Sequence, residues 1–293
     1  MKKPLISIIT VNFRQSQVTC ELLGTINLLS YSRIETIVVD NAQQQDDSYL
    51  YRQHLPAVKV INSPSNLGFA GANNLGIEAA KGDYIFLLNN DTEISDGTIE
   101  QLLDCFDDDA VGAVSPVLRY HSQPDLVQYA GFTEINPLTG RNITISEVGK
   151  TSTIKTPYFH GAAVMIPRNV IEECGLMPED YFLYYEELDW SRAFRQRGYE
   201  LKVCTTASIL HKESVTTGKN SPLKTYYQTR NRVVFMNKHS RPIKRVLFNL
   251  FFHTVSLPVN LLRYALKGKK QHLSALFRAT MDASVYHRMG MTF

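Results

Sequence analysis

The chain has 293 residues and is 44% hydrophobic, enough to bury a full core in one large domain or in a domain with an appendage, which excludes a disordered chain. Its net charge of +3 hides an asymmetry: from Lys238 onward there are 10 basic residues and 1 acidic, so the tail carries about +9 and the preceding 237 residues about −6. Cys20, Cys105, Cys174 and Cys204 are widely spaced and include no Cys-x-x-Cys pair, which argues against a zinc knuckle or a disulfide framework and fits a reduced compartment.

Along the chain, short β-rich runs alternate with helical stretches, the pattern of a mostly parallel sheet covered by helices. Lys2 and Lys3 precede an apolar run, Leu5 to Val11, but Asn12 and Arg14 interrupt it and no cleavage site follows, so it reads as a first strand. Thr19 to Leu29 has helical spacing, Ile34 to Val39 is a second strand ending at Asp40, and Lys59 to Ile61 a third. A helix follows Asn66-Leu67-Gly68-Phe69-Ala70-Gly71 and reaches about Ala80; the strand Tyr84 to Leu88 then runs into Asn89-Asn90-Asp91. Thr92 to Asp104 is helical in pattern, and Ala113 to Thr156 turns irregular, with short strands and turn residues at Asn136-Pro137 and Thr139-Gly140, so that loops or a small sheet insert are expected. Phe159 to Ile166 reads as a strand, Arg168 to Cys174 and Glu186 to Arg197 as helices, and Leu201 to Ile209 as a strand leading to His211. The ordered α/β region is expected to end near Asn237.

The polar residues of interest sit where strands end, the edge at which open α/β sheets bind ligands. Asp40 and Asp91 each close an apolar strand, and Asp91 beside Asn89 and Asn90 offers the hard oxygen ligands that Mg²⁺ or Mn²⁺ prefers. The same residues also suit the capping of a following helix. Gly68, Gly71 and Gly76 with Asn66, Asn73 and Asn74 would let backbone approach a phosphate or ribose at a helix start, or simply form a tight turn. In Tyr181-Phe182-Leu183-Tyr184-Tyr185-Glu186-Glu187-Leu188-Asp189-Trp190, three carboxylates crowd a helix start behind aromatics. One of them, with raised proton affinity, would serve as a general base, while the helix dipole alone would also favour acids there. His211 reads either as a metal ligand or as a structural residue at a strand end.

In this order the segments resemble the family 2 glycosyltransferases, especially bacterial rhamnosyltransferase-like members. Ser7-Ile8-Ile9-Thr10-Val11-Asn12-Phe13, Ile37-Val38-Val39-Asp40-Asn41, Asn66 through Asn73, and Leu88-Asn89-Asn90-Asp91 carry the resemblance. Gly161-Ala162-Ala163 and Glu186-Glu187-Leu188-Asp189 followed by Arg197-Gly198-Tyr199 extend it, so that it spans residues 5 to 237. The resemblance implies a GT-A fold, a Rossmann-like mixed sheet of the nucleotide-diphospho-sugar transferase type, as a catalytic domain over 1–237 with a C-terminal helical appendage over 238–293. It implies an inverting hexosyltransferase that uses Mg²⁺ or Mn²⁺. The donor would be dTDP-rhamnose or a UDP-hexose, and the acceptor a saccharide, lipid-linked, in cell-surface polysaccharide synthesis.

It assigns Thr10, Val11, Asn12, Asp40 and Asn41 to the nucleotide, with Asn66, Gly68, Asn73, Asn89 and Asn90 lining its pocket. Asp91 and His211 become metal ligands and Glu187 the catalytic base, with Asp189 as the alternative. This chain departs from the family pattern at Asn89, where an Asp-x-Asp-type motif has its first carboxylate, and at Glu187, where an aspartate is usual. The basic ends and apolar middle of Arg241 to Lys270 suggest amphipathic helices on the inner face of the plasma membrane, or helices packed on the catalytic domain. A cytoplasmic, peripheral enzyme follows, and no nucleic-acid motif accompanies the basic charge. The rival readings are a sugar-1-phosphate nucleotidyltransferase, disfavoured by Asn12-Phe13-Arg14-Gln15-Ser16 after the first strand, and a scaffold that binds nucleotide sugars without catalysis.

Overall fold

The computed structural model describes residues 3–41, 46–212 and 220–288. Residues 1, 2 and 289–293, at the outer ends of the segments expected over 1–237 and 238–293, lie outside the described residues. By compactness the chain forms two units: Met1–Thr133, Thr144–Phe182 and Glu186–Thr216 make the first, and Glu134–Ile143, Leu183–Tyr185 and Thr217–Phe293 the second.

The first unit contains, in order, β1 (Ile6–Asn12), α1 (Ser16–Ile26), β2 (Ile34–Asp40), α2 (Ser48–His54), β3 (Lys59–Asn62), α3 (Gly68–Ala79), β4 (Tyr84–Leu88), β5 (Thr92–Glu93) and α4 (Thr98–Leu103). It continues with β6 (Val111–Tyr120), β7 (Gln123–Tyr129), β8 (Thr153–Lys155), β9 (Ala163–Pro167), α5 (Arg168–Cys174), α6 (Glu186–Gln196) and β10 (Glu200–His211). The mixed sheet runs β3-β2-β1-β4-β9-β6-β10-β5, with β7 on β6 and β8 on β10. Pairing is parallel among β3, β2, β1 and β4 and between β6 and β10, while β9 runs antiparallel to both β4 and β6. All six of those parallel strands therefore point the same way, and Asn12, Asp40, Leu88 and His211 end on one edge.

The period-2 alternation of β1 sorts its side chains between two cores. Ile6 and Ile8 pack with Leu22, Leu23 and Ile26 of α1, whereas Ile9 packs with Ile37, Val39 and the α3 residues Ala72 and Ile77. Gly76 lets α3 lie directly on the sheet, since a Cβ there would sit 2.4 Å from Ile9 Cγ2 and 3.3 Å from Val39 Cγ2.

Two expectations are corrected. Thr92 to Asp104 is not one helix: Thr92 and Glu93 pair with β10, Gly97 adopts a left-handed φ of 80°, and only Thr98–Leu103 is helical. The short strands expected within Ala113 to Thr156 are longer at the start, where β6 is a ten-residue strand from Val111 with its first eight residues buried, and it lies inside the main sheet rather than in an insert. Pro116 inside β6 sits at a register shift where β10 passes from Cys204 to Ser208, and a bulge is where a sheet tolerates proline.

The second unit holds α7 (Pro222–His239), α8 (Pro242–Phe251), a π-helical turn (Phe252–Ser256), α9 (Leu257–Leu266) and α10 (Lys270–Arg288). The sequence reading placed α7, up to residue 237, with the catalytic region; by compactness it groups with the helices that follow. Ser221 caps α7 by accepting the Lys224 N–H at 3.1 Å, with Pro222 in the first turn. Pro242–Leu266 is one continuous 25-residue helix, and Phe248 and Phe252 are its buried anchors.

Gly76→Ala is expected to lower stability by about 1–3 kcal/mol, the cost of overpacking a β-branched contact, read as a lower urea midpoint with an unchanged slope.

Candidate active site

Every nucleotide, metal and base residue that the resemblance assigns lies in the first unit. At the end of β1, Asn12 is a hub. Its Oδ1 accepts from the Gln15 N–H at 3.0 Å and the Thr19 hydroxyl at 3.1 Å, and its Nδ2 donates to Asp40 Oδ1 at 3.0 Å. The Tyr51 hydroxyl donates to the other Asp40 oxygen at 3.0 Å, and Asn90 Nδ2 donates to Thr19 Oγ1 at 3.1 Å. Asn12, Asp40 and Asn90 are all buried. Burial holds the Asp40 carboxyl above its ordinary range, against the lowering effect of the Asn12 and Tyr51 hydrogen bonds. Thr10 is fully enclosed, and its hydroxyl makes no hydrogen bond; Val11 is half-buried.

Asn41 clamps the glycine turn. Its Nδ2 donates to Asn66 Oδ1 at 2.9 Å and the Gly68 carbonyl at 3.2 Å, and its Oδ1 accepts the Leu67 N–H at 2.8 Å. Gly68 has φ 72°, and a Cβ there would lie 2.3 Å from the Phe182 carbonyl oxygen, so only glycine fits. The Phe69 N–H donates to that carbonyl at 2.7 Å. Asn73 is buried and donates to the Phe69 carbonyl of its own helix at 2.9 Å, while Asn66 is exposed. The asparagines near the turn thus shape the backbone, rather than all facing outward.

After β4, Asn89 hands its N–H to the Ala162 carbonyl at 2.8 Å, and its side chain is half-buried. Asp91 is drawn to β10 by the pairing of Thr92 with His211 and by the Lys212 N–H, which donates to the Asp91 carbonyl at 2.8 Å. His211 Nε2 lies 3.2 Å from Asp91 Oδ1, with both side chains more than nine-tenths buried. His211 Nδ1 lies 2.9 Å from Gln128 Oε1. In the neutral tautomer whose Nδ1–H donates to that amide oxygen, Nε2 turns its lone pair toward Asp91, whose Oδ1 accepts no hydrogen bond. A hard carboxylate oxygen and an imidazole nitrogen facing each other without a donor between them fit a divalent cation. Among the described residues no third His, Cys, Asp or Glu joins them, so further ligands would come from phosphate oxygens and water, as magnesium commonly has.

His160, not singled out in the sequence, packs edge-on against His211 with ring centroids 6.1 Å apart and accepts the Ala162 N–H through Nδ1 at 3.0 Å. Burial, reinforced by His211, pushes His160 down to about 3, so it stays neutral. Next to it, Gly161 lies under α6: a Cβ there would be 3.4 Å from the Phe69 ring and 3.8 Å from Glu187 Cβ. The loop 160–162 therefore borders Asp91 and His211 on one side and Glu187 on the other. Glu187 is half-buried, whereas Asp189 is buried and accepts from the Tyr181 hydroxyl at 2.8 Å. Gln128, in the stretch read as irregular, carried no sequence signal; His160 was legible only as the neighbour of Gly161-Ala162-Ala163.

The sequence profile described as "Glycosyl transferase family 2" matches residues 7–175. The chain belongs to that family. Among its relatives, the low-salt glycan biosynthesis hexosyltransferase Agl10 of Haloferax volcanii is 26% identical over 83% of this chain and 79% of its own length. The N-acetylglucosaminyl-diphospho-decaprenol L-rhamnosyltransferase of Mycobacterium tuberculosis is 22% identical over 68% of this chain and 73% of its own. The mannosyltransferase PcManGT of Pyrobaculum calidifontis, solved with GDP-Man and Mn²⁺, superposes with a TM-score of 0.63 at 16% identity, covering 97% of this chain and 88% of that one. The fold is the GT-A glycosyltransferase fold, and the rhamnosyltransferase-like resemblance holds.

Asp40 gives a pH test of this family 2 site. Its folded-state pKa lies above the ordinary 3.8, so the folded form holds the proton more tightly than the unfolded chain. Stability is therefore lost as pH rises from that ordinary value through the folded pKa, and is flat beyond. Asp40→Asn escapes that loss, and its unfolding free energy relative to the parent should rise as pH increases from about 4 through the raised folded-state pKa of Asp40, read in urea titrations.

Proposed function

We propose that this chain transfers a hexosyl or deoxyhexosyl group from a nucleoside diphosphate sugar, dTDP-rhamnose or a UDP-hexose, to a lipid-linked saccharide, with inversion. The observation that carries the reading is the buried Asp91–His211 pair, with Asp91 Oδ1 lacking a donor, beside the loop that borders Glu187. The family membership and the relatives' names support it: one acts in glycan biosynthesis, another carries a diphospho-decaprenol acceptor in its name, and a fold neighbour was solved with a sugar nucleotide and Mn²⁺.

In this reading Asp91 and His211 would hold Mg²⁺ or Mn²⁺, which when bound would supply positive charge opposite the departing diphosphate. Asp40 and the backbone at Thr10 and Val11 receive the base. Asn41 keeps the Asn66–Gly68 turn in the one backbone path that leaves room beside the nucleotide. Glu187, half-buried at the start of α6, accepts the proton of the acceptor hydroxyl as that oxygen attacks the anomeric carbon from the face opposite the leaving group. Asp189, spent on Tyr181, orients α6.

The second unit supports membrane attachment as part of this reading. Ile243, Val246, Leu250, Val255, Val259, Leu262 and Leu266 are all exposed. Their spacing is three or four residues except for a step of five from Leu250 to Val255, which falls at the π-helical turn Phe252–Ser256. That turn absorbs one extra residue and keeps the apolar stripe on one side, where an α-helical step would bring His253 or Thr254 into line. Arg241, Lys244 and Arg245 lie at one end, with Lys267, Lys269 and Lys270 at the other. Each is worth about 1 kcal/mol near an anionic surface. The helix is long and apolar enough to cross a membrane by length and composition, but its charged ends and one-sided stripe favour lying in the plane of the cytoplasmic leaflet.

Glu187→Gln should retain donor binding while turnover falls on the order of 10²-fold or more; near-normal turnover rejects Glu187 as base. Asp91→Ala should abolish the response of activity to added Mn²⁺, and an unchanged response removes Asp91 from the site. Leu250→Glu with Leu262→Glu should weaken sedimentation with anionic vesicles at least about tenfold, since each apolar side chain contributes roughly 1.5–3 kcal/mol on burial. Equal sedimentation of variant and parent defeats the membrane reading.

A further inference from the structure

The second unit contains a buried cation that its own residues leave uncompensated. Arg232 of α7 is 5% exposed. Its Nη2 donates to Ser256 Oγ at 3.3 Å and its guanidinium lies 5.1 Å from the Phe252 ring centroid, but Nε–H finds no acceptor. Among the described residues no carboxylate pairs with it. A second cation, Arg141, bears on it, and burial together with Arg141 pushes the guanidinium down to about 10 against an opposing effect of Tyr185.

Arg141 is placed there by a built turn. Asn136 Oδ1 accepts the N–H groups of Leu138 and Thr139 at 2.9 and 3.1 Å, and the Gly140 N–H donates back to the Asn136 carbonyl at 2.8 Å. Gly140, at φ 64°, packs so closely on Arg232 that a Cβ would lie 3.0 Å from its Cγ. The Tyr185 hydroxyl fastens the turn by donating to the Gly140 carbonyl at 2.9 Å. The unit as a whole has 15 Lys and Arg residues against two carboxylates, Glu134 and Asp282, and Asp282 already accepts from Tyr226.

Removing a guanidinium from water without a counter-ion is strongly unfavourable, and a neighbouring cation makes it more so. Such an arrangement persists when an anion from outside the unit completes it. The unsatisfied Nε–H belongs to the planar fork that matches phosphate oxygens in paired hydrogen bonds, which an ammonium cannot reproduce. We propose that Arg232 and Arg141 form a phosphate-binding site of the second unit, which takes the phosphate or diphosphate group of an anionic ligand. The proposal is independent of the assignments of Asp91 and Glu187.

The test uses the full chain in EDTA, with inorganic pyrophosphate and phosphatidylcholine vesicles carrying a minor fraction of long-chain polyprenyl diphosphate as probes. Arg232→Met, Arg232→Lys and Arg141→Ala are compared with the parent by titration calorimetry, vesicle sedimentation and Tm. Arg141→Ala should weaken binding at least about tenfold and Arg232→Met should abolish it, with Arg232→Lys weaker than the parent because the fork is lost. The Tm of Arg232→Met should be unchanged or higher, since a buried unpaired charge has gone. Loss of pyrophosphate binding alone assigns a free phosphate ligand, and loss of vesicle binding alone a lipid-borne one; both support the site. Binding of neither probe by the parent, or equal binding by parent and variants, overturns it. A lower Tm for Arg232→Met with binding unchanged makes Arg232 a packing residue and also overturns it. If Arg232→Met does not fold, the exposed Arg141→Ala decides alone. Donor binding measured on the same samples with Mn²⁺ reports separately on the transfer reading.

Discussion

Two residues of antiparallel pairing, Thr92 with His211 and Glu93 with Leu210, hold the candidate site together. Asp91 leaves β4 at one end of the sheet's central run, and His211 ends β10 beyond β9 and β6. Only because the chain turns back at β5 and pairs with the last strand do the carboxylate and the imidazole face each other across 3.2 Å. The Lys212 N–H on the Asp91 carbonyl closes the same contact from the backbone side. A hydrogen-bonded ladder positions groups more tightly than a loop does, so the distance between carboxylate and imidazole is set by the sheet itself.

The other half of the site depends on satisfied buried polar groups. Asn12, Thr19, Asn90, Asp40 and Tyr51 form a connected set in which each side chain bonds another, and a network of this kind is rigid because breaking any member strands the rest in a low-dielectric interior. Asn41 performs the same service for the glycine turn, whose Gly68 backbone has no alternative against Phe182. Phe182 itself takes a positive φ of 63°, strained for an aromatic residue, just before the helix start that carries Glu187.

The second unit concentrates a different chemistry. Its long helix buries Phe248 and Phe252 and leaves a continuous apolar stripe outside, with cations at both ends and a buried guanidinium beneath. Apolar surface, basic flanks and a buried arginine without a carboxylate partner are thus gathered in one unit.

The alternation of strand and helix from Ile6 to Leu88, the helices at Arg168–Cys174 and Glu186, and the strand ending at His211 were legible because apolar periodicity reports which face of an element is buried. So were the polar residues at strand ends, since parallel strands of a wound sheet must leave their carboxyl ends on one edge. The sequence also showed a basic, apolar tail. It could not show that Thr92 and Glu93 form a strand, that Pro116 lies inside one, or that Gln128 and His160 flank His211. Those depend on pairings and packings between distant segments, to which local periodicity is blind. For the same reason the spacing of Asn41, Asn73 and Asn90 announced polar groups near a ligand edge, while only the tertiary structure decided that these amides bind the protein's own backbone and side chains. A buried hydrogen-bond partner is chosen by three-dimensional proximity, and that is written in no single stretch of chain.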